Sequence, residues 1–303
     1  MAVNAPGHLL HVGFAKTGSK LLQRWFEARP DLGFAPWGIA GFANAHALVA
    51  TAAAAAATGA ERWHVTSHEA LLTPVANLAD PGRGGAASLP TRHGQDRACD
   101  LLAALFPKAS VLIVTRGFAE LIRSFHAELI LGGVGESLAG YCAALLDQVR
   151  TGRDPFDIDH VLGRYARAFG EERMIVLPYE LLRDRPDTFF AHIEGRLGLD
   201  PFPFATPRVR PSPPPGEVEA YRSLTRLVRR LPGTPEFQRR VGNEWVAALR
   251  GGRLAGIARR LSSGRADISP AELPEPLIEA LRGRSERLRA NPLYAGFERD
   301  YLL

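Results

Sequence analysis

From residue 8 to about residue 200, short apolar runs alternate with stretches whose apolar residues recur at helical spacing. That alternation predicts parallel strands covered by helices on both faces, a three-layer α/β arrangement. Val111-Leu112-Ile113-Val114-Thr115 is continuous and β-branched, as a strand buried on both faces must be. Phe118 to Leu131 then sets Leu121, Ile122, Phe125, Leu129 and Ile130 on one side of a helix. Another strand is expected to end at Ser67, and a first one to begin near His11 and run into Gly13. Ala45–Ala57 is alanine-rich and helix-prone. Asp80–Gln95, rich in Gly, Pro, Ser and Arg, shows no period and predicts a loop, either a mobile one over a substrate site beyond the strand ending at Ser67 or a plain surface insertion. Beyond a turn-like break at Pro211–Gly216, Val218–Leu231 and Phe237–Leu261 read as helices.

Chemistry first enters at residues 11–25, where an apolar strand runs into a glycine-bounded turn and a helix follows. Backbone N–H groups, a helix N-terminus and a cation then converge on one point, which suits a phosphate or sulfate. Gly13 and Gly18 have P-loop spacing, so the expected fold is P-loop NTPase-like. A nucleotide triphosphatase, however, would place Lys and then Ser or Thr after the second glycine. Here Ser19 precedes Lys20, and Lys16 lies inside the turn. The exchange moves the hydroxyl that would hold magnesium, which disfavours ATP or GTP hydrolysis. The plain alternative is a glycine-containing strand-to-helix turn.

Arg116 closes the Val111–Thr115 run, and Ser124 follows eight residues later. Ligands of open α/β sheets bind beyond the C-terminal ends of the strands, and guanidinium plus hydroxyl is good chemistry for phosphate. The competing expectation is an Arg116–Glu120 ion pair.

Lys16-Thr17-Gly18-Ser19 together with Thr115-Arg116 and Ser124 resembles the sulfotransferases that use 3′-phosphoadenosine 5′-phosphosulfate (PAPS). Met174 to Leu182 with Asp184, Pro186 and Phe189, then Leu197-Gly198-Leu199, looks like a later strand and helix of that family. Pro207–Ser212 looks like a looser version of a family loop. The resemblance spans about residues 8–215. It implies that Lys16, Thr17, Gly18 and Ser19 hold the 5′-phosphosulfate, while Arg116 and Ser124 hold the 3′-phosphate. Ala15 stands where the family has proline. Lys20 replaces a second hydroxyl and offers charge instead. The implied reaction is in-line transfer of a sulfuryl group from PAPS to a hydroxyl of a carbohydrate or small metabolite, with no metal. Lys16 would stabilise charge on the leaving oxygen. A base must take the acceptor proton. His68 is favoured for its near-neutral titration, with Glu69 close behind. His68 as a helix cap is the structural alternative.

The 303 residues are 46% hydrophobic, enough for one sulfotransferase domain with its core at about 8–215 and a helical extension at about 216–303. No run approaches the roughly 20 apolar residues of a membrane span. Met1–Gly7 has no leader character, and Cys99 and Cys142 are too few for a disulfide framework or zinc site; a cytoplasmic protein is expected. Of 37 basic residues only Lys16, Lys20 and Lys108 are lysine. Arginines crowd the two C-terminal helices, which suits an anionic partner or a solvated face, and no nucleic-acid module is recognisable. Two other functions fit the pattern: a P-loop nucleotide kinase, and a non-enzymatic arginine-rich binder of acidic polymers.

Overall fold

The structure, a computed structural model, describes residues 7–36, 38–52, 62–68, 72, 92–205, 213–230, 232–262 and 273–303. Five strands, β1 (Gly7–His11), β2 (Leu32–Gly33), β3 (Trp63–Ser67), β4 (Ser110–Thr115) and β5 (Met174–Pro178), form one sheet. Their order is β2-β3-β1-β4-β5 and every neighbouring pair is parallel. The α/β class expected from the apolar pattern is therefore the one observed.

Side-chain alternation divides the sheet between two cores. Leu9, Val65, Leu112, Val114, Ile175 and Leu177 pack with α1 (Ser19–Ala28) on one face. Leu10, Val111 and Ile113 pack on the other, against a group that includes α3 (Arg92–Leu105) and α4 (Phe118–Leu131). A short α2 (Ala45–Ala52) lies between β2 and β3 in the chain. The first face is completed by α7 (Tyr179–Asp184) and α8 (Pro186–Leu197), and the second by α5 (Leu138–Arg150), α6 (Ile158–Phe169) and, much later, α12 (Glu275–Leu281). Between them come α9 (Pro215–Val228), α10 (Pro235–Arg250) and α11 (Ala255–Ser262), which bury a small cluster of their own around Ala220, Tyr221, Leu249 and Ala258.

Four expectations change. His11 ends β1 rather than starting it, because the strand begins at Gly7. Arg92–Gln95 forms the first turn of α3, not loop; the rest of Asp80–Gln95 lies outside the described residues, as do 53–57 of the alanine-rich stretch. Phe237–Leu261 is two helices, divided at Gly251-Gly252, where Gly252 adopts φ 69. Gly216 belongs to α9, which opens on Pro215, a residue suited to the first helical turn.

The chain's last residues return to the sheet. Tyr294 and Tyr301 are fully buried, and their hydroxyls meet Thr115 Oγ1 at 2.7 and 3.2 Å. They thereby plug the C-terminal end of β4. Among the described residues no helix is long and apolar enough to cross a membrane.

Candidate functional site

β1 ends in a turn whose shape is fixed by its own polar groups. Thr17, fully buried, donates its hydroxyl to the Phe14 carbonyl at 2.5 Å. Lys16 takes φ 70 and Gly18 φ 85, so two left-handed residues bracket Thr17. For lysine this conformation costs about 1 kcal/mol, and it persists where surroundings hold it. At Gly18 a side chain would meet both backbone strain and Leu182, 2.8 Å from an added Cβ. Gly18 then accepts the first intrahelical bonds of α1 from Leu21 and Leu22, and the leading N–H groups of α1 open toward the turn. Ser19 opens that helix with its hydroxyl buried and without a hydrogen-bond partner.

What holds the strained lysine is Arg116, one residue past β4. Its Nη1 donates to the Lys16 carbonyl at 2.7 Å, and its guanidinium lies 4.4 Å from the centroid of the Tyr179 ring. Segments 100 residues apart are thus joined by a direct bond. The expected pairing with Glu120 also exists, at 3.0 Å; the two arrangements coexist because the guanidinium has five donors. Gly117, next along the chain, donates its N–H to Glu180 Oε1 at 2.9 Å, and Glu180 Oε2 accepts from the Tyr301 hydroxyl at 2.7 Å. Burial raises the Glu180 pKa. An added Cβ on Gly117 would lie 2.7 Å from Asp300, so only glycine lets the C-terminal segment approach this closely. Ser124, in the second turn of α4, is buried with its hydroxyl also without a partner. One turn farther, Glu128 takes the Lys16 ammonium at 3.1 Å.

The opposite flank of the turn faces β3. His11 and Ser67 are register partners at the ends of β1 and β3. His11 Nδ1 and Ser67 Oγ lie 2.7 Å apart, while Nε2 has no partner. Complete burial lowers the His11 pKa to about 4, so the ring is neutral. Beyond Ser67 the exposed His68 lines a cleft of about 290 Å³ with Lys20, Gln23, Pro36, Ala40 and Ser67 among its walls. The two lysines of the turn therefore part company: Lys16 goes to α4, and Lys20 goes to the cleft with His68. Glu69 lies outside the described residues, as does Pro207–Ser212. Among the described residues no three His, Cys, Asp or Glu side chains cluster as a metal site would need.

The sequence pattern brings Lys16, Arg116 and Ser124 to notice but not Glu128, the buried Glu180, or the two C-terminal tyrosines. A carboxylate one helical turn after Ser124 is visible in the sequence; its partner across 112 residues is not.

No family model matches the chain, and no curated protein matches it. Among solved structures it is similar to the crystal structure of a sulfotransferase from Alicyclobacillus acidocaldarius. The identity is 17%, over 86% of this chain and 99% of that one, with a TM-score of 0.47. Nothing about activity follows from a likeness at this level.

Proposed function

We propose that the protein transfers a sulfuryl group from PAPS to an acceptor hydroxyl. The observation that carries this reading is the bond from Arg116 to the Lys16 carbonyl, which makes a strand-end cation and an anion-binding turn parts of one site. The chemistry of the donor set fits a doubly phosphorylated nucleotide. Two buried serine hydroxyls, Ser19 and Ser124, lack partners, and such groups are costly unless something completes them. Arginine follows β4 directly, where a magnesium-dependent kinase would be expected to use a carboxylate.

In this reading the turn N–H groups, Lys16 and Ser19 receive the phosphosulfate end, and Arg116 and Ser124 receive the 3′-phosphate. PAPS supplies the activated sulfuryl group. The Lys16 ammonium, released from Glu128, neutralises charge on the leaving phosphate oxygen. Thr17 acts by shaping the turn, since its hydroxyl is committed to Phe14. The cleft beside Lys20 receives the acceptor, a carbohydrate or small-metabolite hydroxyl, and His68 at its wall takes the proton. Glu69, next in the chain, is the alternative base.

Calorimetry with adenosine 3′,5′-bisphosphate in the absence of magnesium tests the reading. Micromolar binding is expected, abolished by Lys16→Ala and weakened roughly tenfold to a hundredfold by Arg116→Ala, since a hydrogen bond to a charged group contributes about 1.5–3 kcal/mol. Binding of ATP only, and only with magnesium, would replace this reading with a kinase. Failure to bind either nucleotide would overturn both.

A further inference from the structure

Residues 213–262, which carry α9, α10 and α11, contain ten arginines and four glutamates, a net charge of +6. The whole chain is +5, so the remainder carries −1 and the basicity of the protein resides in this one helical satellite. The same segment exposes apolar bulk. Of seven exposed large hydrophobic residues among those described, four are here: Leu227 at 63%, Phe237 at 48%, Ile257 at 51% and Leu261 at 54%.

Charge and bulk are arranged together. Leu227-Val228-Arg229-Arg230, Phe237-Gln238-Arg239-Arg240 and Ile257-Ala258-Arg259-Arg260 each place an arginine pair two and three residues after an exposed apolar side chain, starting once in each of the three helices. The pattern is not a by-product of packing. The satellite buries a different set, Ala220, Tyr221, Leu249 and Ala258, and ties α10 to α9 through the Trp245 indole donating to Thr225 Oγ1 at 2.9 Å. Ile257 and Leu261, four residues apart, share a stripe on α11. Leu227 and Phe237 sit on either side of the α9–α10 connection.

We propose that this satellite docks on the surface of a bilayer containing anionic phospholipid, lying on it without crossing. Arginine attracts the headgroup phosphates, and exposed Leu, Ile and Phe between the arginines enter the acyl boundary. An acidic polymer would need the arginines and has no use for the aliphatic side chains. A single exposed aromatic is too little for base stacking. Docking here would hold the anion turn close to the lipid, because α4 joins the two regions: Glu128 contacts Lys16, and Ile130, two residues on, packs in the satellite's own cluster.

Sedimentation of the full chain with vesicles, at physiological salt, tests the proposal. Binding is expected to equimolar phosphatidylglycerol–phosphatidylcholine vesicles and not to phosphatidylcholine alone. Arg239→Glu with Arg240→Glu should cut binding by more than roughly tenfold. Leu227→Ser with Phe237→Ser should leave retention on a heparin column unchanged while weakening vesicle binding, most visibly at high salt. An unchanged melting temperature shows that each variant folds; Ile257→Ser with Leu261→Ser replaces the second pair if it does not. Retention on heparin without vesicle binding assigns the satellite to acidic polymers and overturns the proposal. So does vesicle binding that the serine variants leave intact, or equal binding to both vesicle types.

Discussion

The surroundings of the β1–α1 turn and the C-terminal satellite both use arginine, and they treat it oppositely. In the first region two guanidiniums are locked in place. Arg116 is held by the Lys16 carbonyl, Glu120 and the Tyr179 ring. Arg29, just past α1, is nearly fully buried between Asp31 at 2.8 Å and Glu194 at 2.6 Å. In the satellite Arg229, Arg230, Arg239 and Arg240 are exposed, with the exposed Leu227 and Phe237 each two residues ahead of a pair. Composition alone cannot separate the two uses. Fixed arginines define where a small anion sits, whereas exposed ones set a field over a broad surface.

If the first region works by holding its charged groups in fixed bonds, breaking one link should be costly. Glu180→Ala leaves the Gly117 N–H without a partner and the Tyr301 hydroxyl without the acceptor of its proton. At about 1–3 kcal/mol for each buried group left unpaired, we expect about 4 kcal/mol of lost stability in urea unfolding. Affinity for adenosine 3′,5′-bisphosphate should fall with it, because Arg116 adjoins Gly117. A loss no larger than that of a surface substitution, about 0.5 kcal/mol, would refute this view of the region.

Acid provides the next test. The folded His11 titrates at about 4 against an ordinary 6.5, through burial. Between those values the unfolded chain binds a proton that the folded chain refuses, so folding weakens as the pH falls. The contribution is complete above pH 6.5 and disappears progressively toward pH 4, on the order of 3 kcal/mol at 1.36 kcal/mol per unit. The stability advantage of wild type over His11→Gln should shrink across this interval. A gap independent of pH would show that folded His11 takes up its proton as readily as the unfolded chain, and the turn would then gain a further cation in acid.

Much of the sheet was legible because burial on both faces leaves a signature that no polar residue interrupts. The apolar pattern of Val111–Thr115 and Phe118–Leu131 marks strand and helix nearly to the residue for that reason. The turn was legible through Gly13 and Gly18. His11 was misplaced because a polar residue beside Leu9 and Leu10 marks a boundary without saying which end. The division at Gly251-Gly252 was missed because apolar residues recur at helical spacing on both sides of it. Contacts of Tyr294 and Tyr301 with Thr115 had no local signal at all: they depend on a segment nearly 180 residues away, with no periodicity of its own. Glu128 escaped for the same reason, since an exposed carboxylate on an amphipathic helix looks like solubility.

Glu128 also gives the finest test, because α4 carries it at the seam between the two regions. Its pair with Lys16 is partly exposed, with side chains 32% and 45% accessible, and pairs of this kind contribute roughly 0–1 kcal/mol. Glu128→Gln should therefore leave the urea midpoint almost unmoved. Its effect should appear in binding. A carboxylate 3.1 Å from the ammonium competes with any anion for that charge, and at such separations the repulsion in water is about 1 kcal/mol. We expect adenosine 3′,5′-bisphosphate to bind about fivefold more tightly to the variant, with a steeper dependence on salt. Vesicle binding should not change, since the satellite keeps all its arginines. Weaker nucleotide binding would mean that Glu128 positions Lys16 for the anion instead of withholding it. An unchanged affinity would place the ammonium outside the anion's reach, and the turn would then act through its backbone and Arg116 alone.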